Sequence, residues 1–512
     1  MKFERLCEKI VLMLGLLFFL PLTYYSMRYT VRCQDITEIV QDYQDSVLGN
    51  LIGLLIFMIL MIIVRIMVKK IGRKTALQIM MIFTLLYVVL IGTIWVAVAS
   101  IRPVADPEAI CQVAQLMLNG NYETLIPPGY MSYNPQQFGL VMVLQMLFRM
   151  FGEGNYVSFE YLNVFCLPLL IYAGHKIIEI IFENELINIY YFILIIFCMP
   201  LMFYTTYIYG EIISITFCMV LMWHTIRFCR KATVRDALWM IGAAVVANII
   251  RMNSLIVVCA VVIVLMVHGI SNRRWQVLFV CLGMIGSIFV TNGAIKAYYA
   301  EKSGIEIRKG IPHISYILMG LEESEFGPGW FNGTNYTELE ACDYDSERAA
   351  ESSRIKIQTR LTEMGNEPGK AVTFFKRKVL TQWNCPDYNA YFATGNFECA
   401  EEELPTYVYN IYRGNMRGHI ERFMDRYQFV IYFNCMCCII GLFWRKKPIE
   451  NQMLLIAIIG GFMFSVLWEA KSRYVLPYMI FSLPLAAGGV YWLQEYIKSI
   501  SKYRKTAKQQ IK

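Results

Sequence analysis

Mostly apolar runs recur along the chain at roughly 10–25, 50–68, 77–99, 157–180, 187–205, 210–226, 237–250, 254–268, 276–297, 427–444, 452–468 and 474–493. A helix crosses a bilayer with about 20 such residues, so the runs predict about 12 spanning helices. The first run has a charged lead, Lys2, Arg5 and Lys9, as a signal peptide does. Thr23-Tyr24-Tyr25 follows it in place of a small-residue cleavage site, which makes it a span. The run 136–151, QQFGLVMVLQMLFRMF, is short and carries Gln145 and Arg149.

Charge sets the register. Cytoplasmic loops of membrane proteins are rich in Lys and Arg. The loop 227–236 (RFCRKATVRD) is strongly basic and is placed inside, as are 69–74, 270–275, 445–451 and the tail from Lys498 to Lys508. Counting back from 227–236 puts 152–156 outside, and counting forward from 69–74 puts 100 outside. Both hold only if 136–151 does not cross, so it is expected to lie on the outer surface as an interfacial helix. Acidic residues gather outside, with Asp35, Glu38, Asp42 and Asp45 in the first outer loop and many more in 301–403. The expected organisation is two N-terminal spans in 1–76 and a transmembrane core over 77–297 with an outer loop at 100–156. An extracytoplasmic cap follows at 298–426, then C-terminal spans over 427–493 and a basic tail from 494 to 512. Both termini are expected in the cytoplasm, and the protein in the cell membrane.

Composition sharpens this reading. The chain is 57% hydrophobic and 17% charged over 512 residues. Soluble domains carry about 45–50% apolar and about 25% charged residues, so a soluble enzyme and a disordered chain are excluded. The formal net charge of +8 belongs to the inner loops and tail, and no nucleic-acid partner is expected. Most of the 15 cysteines lie in apolar runs, where they act as small buried hydrophobes, and no recurring spacing marks a zinc motif, so metal binding through sulfur is not expected.

Ionisable groups near a membrane core are costly and signal function. Several gather at the outer ends of spans: Asp106, Glu211 after TTYIYG, Arg251, and the trio Glu469, Lys471 and Arg473. They come from distant parts of the chain to one membrane face, as a site at the outer interface requires. Each has a plainer role alone. Asp106 before Pro107 can cap a helix, and an interfacial arginine or lysine can reach the headgroups. In the cap, FGPGWFNGTNY at 326–336 alternates turn formers with aromatics.

In this arrangement the chain resembles the GT-C membrane glycosyltransferases, and within them the bacterial branch of protein mannosyltransferases and aminoarabinose transferases. The resemblance runs from about 77 to 493. It is carried by Asp106 in RPVADPEA, the helix through AQLMLNGNY, Tyr133-Asn134-Pro135, the helix QQFGLVMVLQMLFRMFG, Glu211 in YIYGEII, and WEAKSRYVLPY with Glu469, Arg473, Tyr474 and Pro477. The chain departs from the branch in its two additional leading spans, in Asn-Pro-Gln-Gln at the turn, and in Pro107 where relatives carry a second carboxylate. The resemblance implies an all-α polytopic GT-C-like fold with outer juxtamembrane helices. It also implies inverting transfer of a sugar from a polyprenyl-phosphate donor in the bilayer to an extracytoplasmic acceptor. Asp106 and Glu211 are the expected catalytic carboxylates. Arg473, Arg251 and Lys471 are expected to hold the donor phosphate, and Glu469, Tyr133 and Trp330 to meet acceptor or sugar; Phe331, Tyr336 and Trp383, like Trp330, either stack on sugar faces or pack in the cap. The resemblance assures no cofactor; it leaves room for a divalent cation, which would fall to Asp106 and Glu211. The apolar pattern also suits a polytopic transporter or a lipid-sugar flippase, although the paired repeats of such proteins are not visible.

Overall fold

The computed structural model describes residues 2–34, 37–99, 101–395 and 405–510. Asp35, Ser100 and the stretch 396–404 of the cap therefore lie outside the described residues. Apart from one two-stranded hairpin, the described chain is built from helices. Ten of them are long and apolar enough to cross a membrane. The pair Glu185–Ile196 and Met199–Thr206, bent by 59°, forms an eleventh crossing. The expected run 187–205 is thus one span in two pieces. The break falls at Phe197 and Cys198, just before Pro200, which has no N–H to continue the ladder. Helix Val234–Ile250 has 17 residues, the short end of what spans, and packs along Glu211–Lys231.

The spans alternate in direction, so all the long connections meet at one end of the bundle. The hairpin, the segment 101–156 and the turns at 207–210, 251–254 and 468–471 gather there with the cap. The opposite end carries the basic turns. There the Lys447 amide donates to Glu8 at 3.1 Å, the Ile449 amide to Glu4 at 3.2 Å, and Arg230 to Asn451 at 3.0 Å.

Helix Phe138–Phe151 has 14 residues, about 21 Å at 1.5 Å per residue, too short to cross. It packs on Asp106–Leu118 at the loop-rich end. A Cβ at Gly139 would lie 2.0 Å from the Ile249 carbonyl oxygen, so glycine there lets the helix rest directly on the end of Val234–Ile250. Glu153 just beyond it accepts from Gln115 at 3.3 Å, so the chain returns to the face it left.

The first span packs against Arg417–Phe443 in the centre of the bundle. Strands Tyr29–Cys33 and Val40–Gln44 then form an antiparallel hairpin. Arg32 pins it with 2.8 Å ion pairs to Glu421 and Asp425. Its edges join the cap: the Val31 amide donates to Asn384 O and the Val40 amide to Phe326 O, both at 2.9 Å. The cap itself is helical, with His313–Leu321, Thr334–Glu340, Ser346–Asn366 and Pro368–Trp383 as its main pieces.

Candidate active site

A cavity of about 320 Å³ opens where these connections meet. Its walls come from six separate stretches of chain. The hairpin turn supplies Glu38, the first long loop Asp106, Gln136 and Gln137, and the turn after the bent span Tyr207 and Tyr209. Arg251 follows from the next turn, His313, Tyr316, Phe331 and Tyr336 from the cap, and Glu469, Lys471, Arg473 and Tyr474 from the turn before the last span.

Local backbone explains several placements. Asp106 opens helix Asp106–Leu118, with Pro107 in the first turn, where its missing N–H costs nothing. Ala105 before it sits at φ 54°, ψ −129°, a conformation that L-residues avoid. Strain of this kind persists only where the surroundings impose it. Here it turns the Asp106 carboxylate into the cavity. Arg473 lies in the one-turn 3₁₀ segment Ser472–Val475 that leads into the last span.

Arg473 is the hub. Its side chain is only 8% exposed. Its Nη1 donates to the Tyr207 hydroxyl, and its Nη2 stands 3.6 Å from Asp106 Oδ2. The guanidinium packs over the rings of Tyr209 at 5.2 Å and Tyr474 at 5.4 Å, and its Nε has no hydrogen-bond partner. An arginine reaching for headgroups would be exposed at its tip, and this one is walled in. Asp106 is the least committed carboxylate of the group. Its side chain is 39% exposed, and among the described residues its one other polar contact is the Tyr130 hydroxyl donating at 3.5 Å.

Glu211 has a different position from the one expected. It does not line the main cavity. Its side chain is 1% exposed and pairs with Arg251 at 2.7 Å, lining a small pocket beneath. Arg251 in turn packs over Tyr209 and Tyr474. Lys471 lies against Glu38, 3.0 Å from one carboxylate oxygen and 3.2 Å from the other. Burial works most strongly against the Lys471 charge, but Glu38, Glu469 and Tyr474 together outweigh it and hold the ammonium pKa above its ordinary value. Burial raises the Glu469 pKa, against the pull of Lys471 and Arg473, and Glu469 accepts from the Tyr474 hydroxyl at 3.2 Å.

Two expected contacts fall elsewhere. Trp330 is fully buried among Val31, Cys33, Val40 and Ala470, with its Nε1 donating to Thr381 at 3.1 Å. Its neighbour Phe331 faces the cavity instead. Gly329 at φ 72°, in a tight turn over the buried Lys378, sets this direction. Tyr133 is also behind the wall: it donates to Glu340 at 2.7 Å and packs edge-on against Tyr336, which does line the cavity. Of the expected site residues, Asp106, Arg251, Glu469, Lys471 and Arg473 line one space.

Glu38, Tyr207, Tyr209 and His313 were not singled out from the sequence, whereas Tyr336 was one of the rings expected either to meet a sugar or to pack in the cap, and it lines the cavity. Tyr207 and Tyr209 stand in the TTYIYG stretch beside Glu211, where their clustering was the available signal. His313 had none. Burial holds its pKa below the usual histidine value, with Lys296 adding to the effect, so the ring faces the cavity uncharged at neutral pH.

The cavity does not fit a divalent cation held by Asp106 and Glu211. Each carboxylate already has a guanidinium beside it, and Glu211 faces away into the lower pocket. Glu211→Gln is therefore expected to act through Arg251. Breaking a buried ion pair by removing one partner costs on the order of 3–5 kcal/mol. Thermal unfolding in detergent should show that loss, and Glu211→Gln with Arg251→Met should recover much of it. Activity should withstand chelators. A chelator-sensitive activity whose metal affinity drops in Glu211→Gln would restore the cation reading.

Residues 3–490 match the profile of a family described as conserved hypothetical integral membrane protein. The chain belongs to that family. No functionally curated protein matches the sequence. Among solved structures, an oligosaccharyltransferase from Archaeoglobus fulgidus in its apo form aligns with a TM-score of 0.43 and 13% identity. That alignment covers 86% of this chain and 52% of the other, so this chain spans about half the length of that enzyme.

Proposed function

We propose that this family member is a membrane glycosyltransferase of the GT-C type, taking a sugar from a polyprenyl-phosphate donor to an acceptor at the loop-rich face. The observation that carries the reading is the pairing of a buried, unsaturated Arg473 with a half-exposed Asp106 in one cavity, at the end of a membrane bundle. A polyprenyl tail lies in the bilayer, so its phosphate arrives at this level. Guanidinium stays charged there and can hold two phosphate oxygens at once. Lys471, paired with Glu38, lines the same cavity as a second cation.

Arg473 also couples the two halves of the reaction. Without donor it leans on Asp106 at a loose 3.6 Å. A phosphate competes for the same guanidinium and releases the carboxylate. Asp106 then takes the proton from the acceptor hydroxyl as that oxygen attacks the anomeric carbon. The bond to the phosphate oxygen breaks, and the negative charge that develops falls on Arg473. One displacement inverts the anomeric centre. Phe331, Tyr336 and the Trp468 ring, stacked on Tyr316 at 5.0 Å, offer apolar faces for the sugar.

The bent span at Phe197–Cys198 is a feature that transporters share. It is the one bent pair among the described residues, and no second break answers it across the bundle.

The test is a donor panel. The purified protein should release polyprenyl phosphate from one or more polyprenyl-phosphate sugars and leave nucleotide sugars intact. Turnover of nucleotide sugars alone would defeat the proposal. The face is tested separately. Asn155 and Lys231 are exposed at opposite ends of the bundle. In intact cells an impermeant thiol reagent should label Asn155→Cys and spare Lys231→Cys. The reverse pattern would turn the site to the cytoplasm.

A further inference from the structure

Cys229, His268 and Glu450 meet at the end of the bundle opposite the cavity. Cys229 is in the last turns of Glu211–Lys231, His268 near the end of Leu255–Asn272, and Glu450 in the turn Ile449–Gln452 that leads into Met453–Leu467. The three lie far apart in sequence, and each is buried, at 3%, 6% and 3% exposure. One potential ligand atom from each falls within 4.8 Å of the other two. His268 Nδ1 is 3.4 Å from Glu450 Oε2, and both His268 Nε2 and Glu450 Oε2 lack a hydrogen-bond partner. Buried polar atoms rarely go unpaired, and this cluster holds two of them; the other ring nitrogen, His268 Nδ1, also has Asn272 Nδ2 at 3.4 Å.

We infer that these residues form a binding site for a divalent transition-metal ion of the zinc or cobalt kind. The donor set selects the class. A thiolate and an imidazole suit zinc and its neighbours, whereas calcium and magnesium take oxygen ligands. Charge supports the same choice. A thiolate, a carboxylate and a neutral imidazole around a doubly charged ion sum to zero, the least costly state for a buried centre. Without an ion, Glu450 Oε2 has no hydrogen-bond partner and faces His268 Nδ1 at 3.4 Å. Ligands about 2.0–2.3 Å from zinc lie roughly 3.3–3.8 Å from one another. Binding would draw the three ligand atoms, now within 4.8 Å of one another, together to that spacing. Arg274, which donates to the Cys229 carbonyl at 3.2 Å, and Asn272, which donates to the His268 carbonyl at 3.0 Å, hold the ligand-bearing turns. Three protein ligands leave a coordination position for water. The ion would tie two spans to the turn entering a third.

The test is cobalt titration of the full-length protein in detergent after chelator treatment. Wild type should bind one equivalent and develop a thiolate-to-cobalt charge-transfer band that zinc abolishes. Cys229→Ser should lose the band, and Glu450→Gln should weaken affinity on the order of 10-fold or more. Cys259, an exposed cysteine on one of the same spans, provides the control: Cys259→Ser should keep the band. Folding is checked with Cys229→Ala, which keeps a small buried side chain. It should melt like wild type in chelator and fail to gain the stabilisation that zinc gives wild type. No thiolate band in wild type, an unchanged band in Cys229→Ser, or equal zinc stabilisation of Cys229→Ala would each overturn the site and leave a buried histidine–glutamate pair.

Discussion

Asp106→Asn should lower turnover about 100-fold or more while donor binding survives. General-base catalysis contributes roughly that factor, and asparagine keeps the shape of the side chain but accepts no proton. The expectation rests on selection among the carboxylates in the structure. Glu211 is sealed against Arg251, Glu38 is held by Lys471, and Glu469 is buried under the Tyr474 hydroxyl. Asp106 alone combines exposure to the cavity with a partner that a donor phosphate can draw away. His313 is the rival, since it is uncharged at neutral pH and faces the same space. Measuring single-turnover sugar transfer in Asp106→Asn and His313→Ala separates them. Near-normal transfer in Asp106→Asn with collapse in His313→Ala would give the base role to the histidine.

Arg473→Ala should reduce kcat/KM for the donor lipid on the order of 100-fold, or about 3 kcal/mol, as the loss of a buried charge contact does. Arg473→Lys should fall between, on the order of 10-fold, because lysine keeps the charge and loses the two-pronged grip. The order wild type, lysine, alanine is the signature. A residue that only packs between Tyr207, Tyr209 and Tyr474 would instead make lysine as damaging as alanine, through lost stacking. Donor-lipid affinity and turnover for the three proteins, each at matched thermal stability, decide between these roles.

Much of the bundle was legible in the chain because spanning helices announce themselves by length. Helix ends were less so. Arg417–Phe443 begins ahead of its apolar run at 427, since its first turns are polar and held by Arg32 from the distant hairpin. The broken span read as one run because Pro200 and Cys198 interrupt the helix without interrupting its hydropathy. The site's charged half was legible because ionisable residues at span ends are few. Its aromatic half was legible as a segment only. In FGPGWFNGTNY the rings of Trp330, Phe331 and Tyr336 were equal candidates, and the Gly329 turn decides that Phe331 faces the cavity while Trp330 enters the core. Glu38 was one acid among several in an outer loop. Only the hairpin, paired through Val31 and Val40 to the cap, carries it to Lys471.

The central claim is that a lipid-linked phosphate sits at Arg473, across from Asp106. A cryo-EM structure of the protein with a polyprenyl monophosphate tests it most directly. The account predicts phosphate density in contact with the Arg473 guanidinium, a tail leaving the cavity between spans, and an Asp106 carboxylate freed from that arginine. Lipid phosphate bound at the opposite end of the bundle, or a cavity in which Arg473 stays on Asp106 with lipid bound elsewhere, would contradict it.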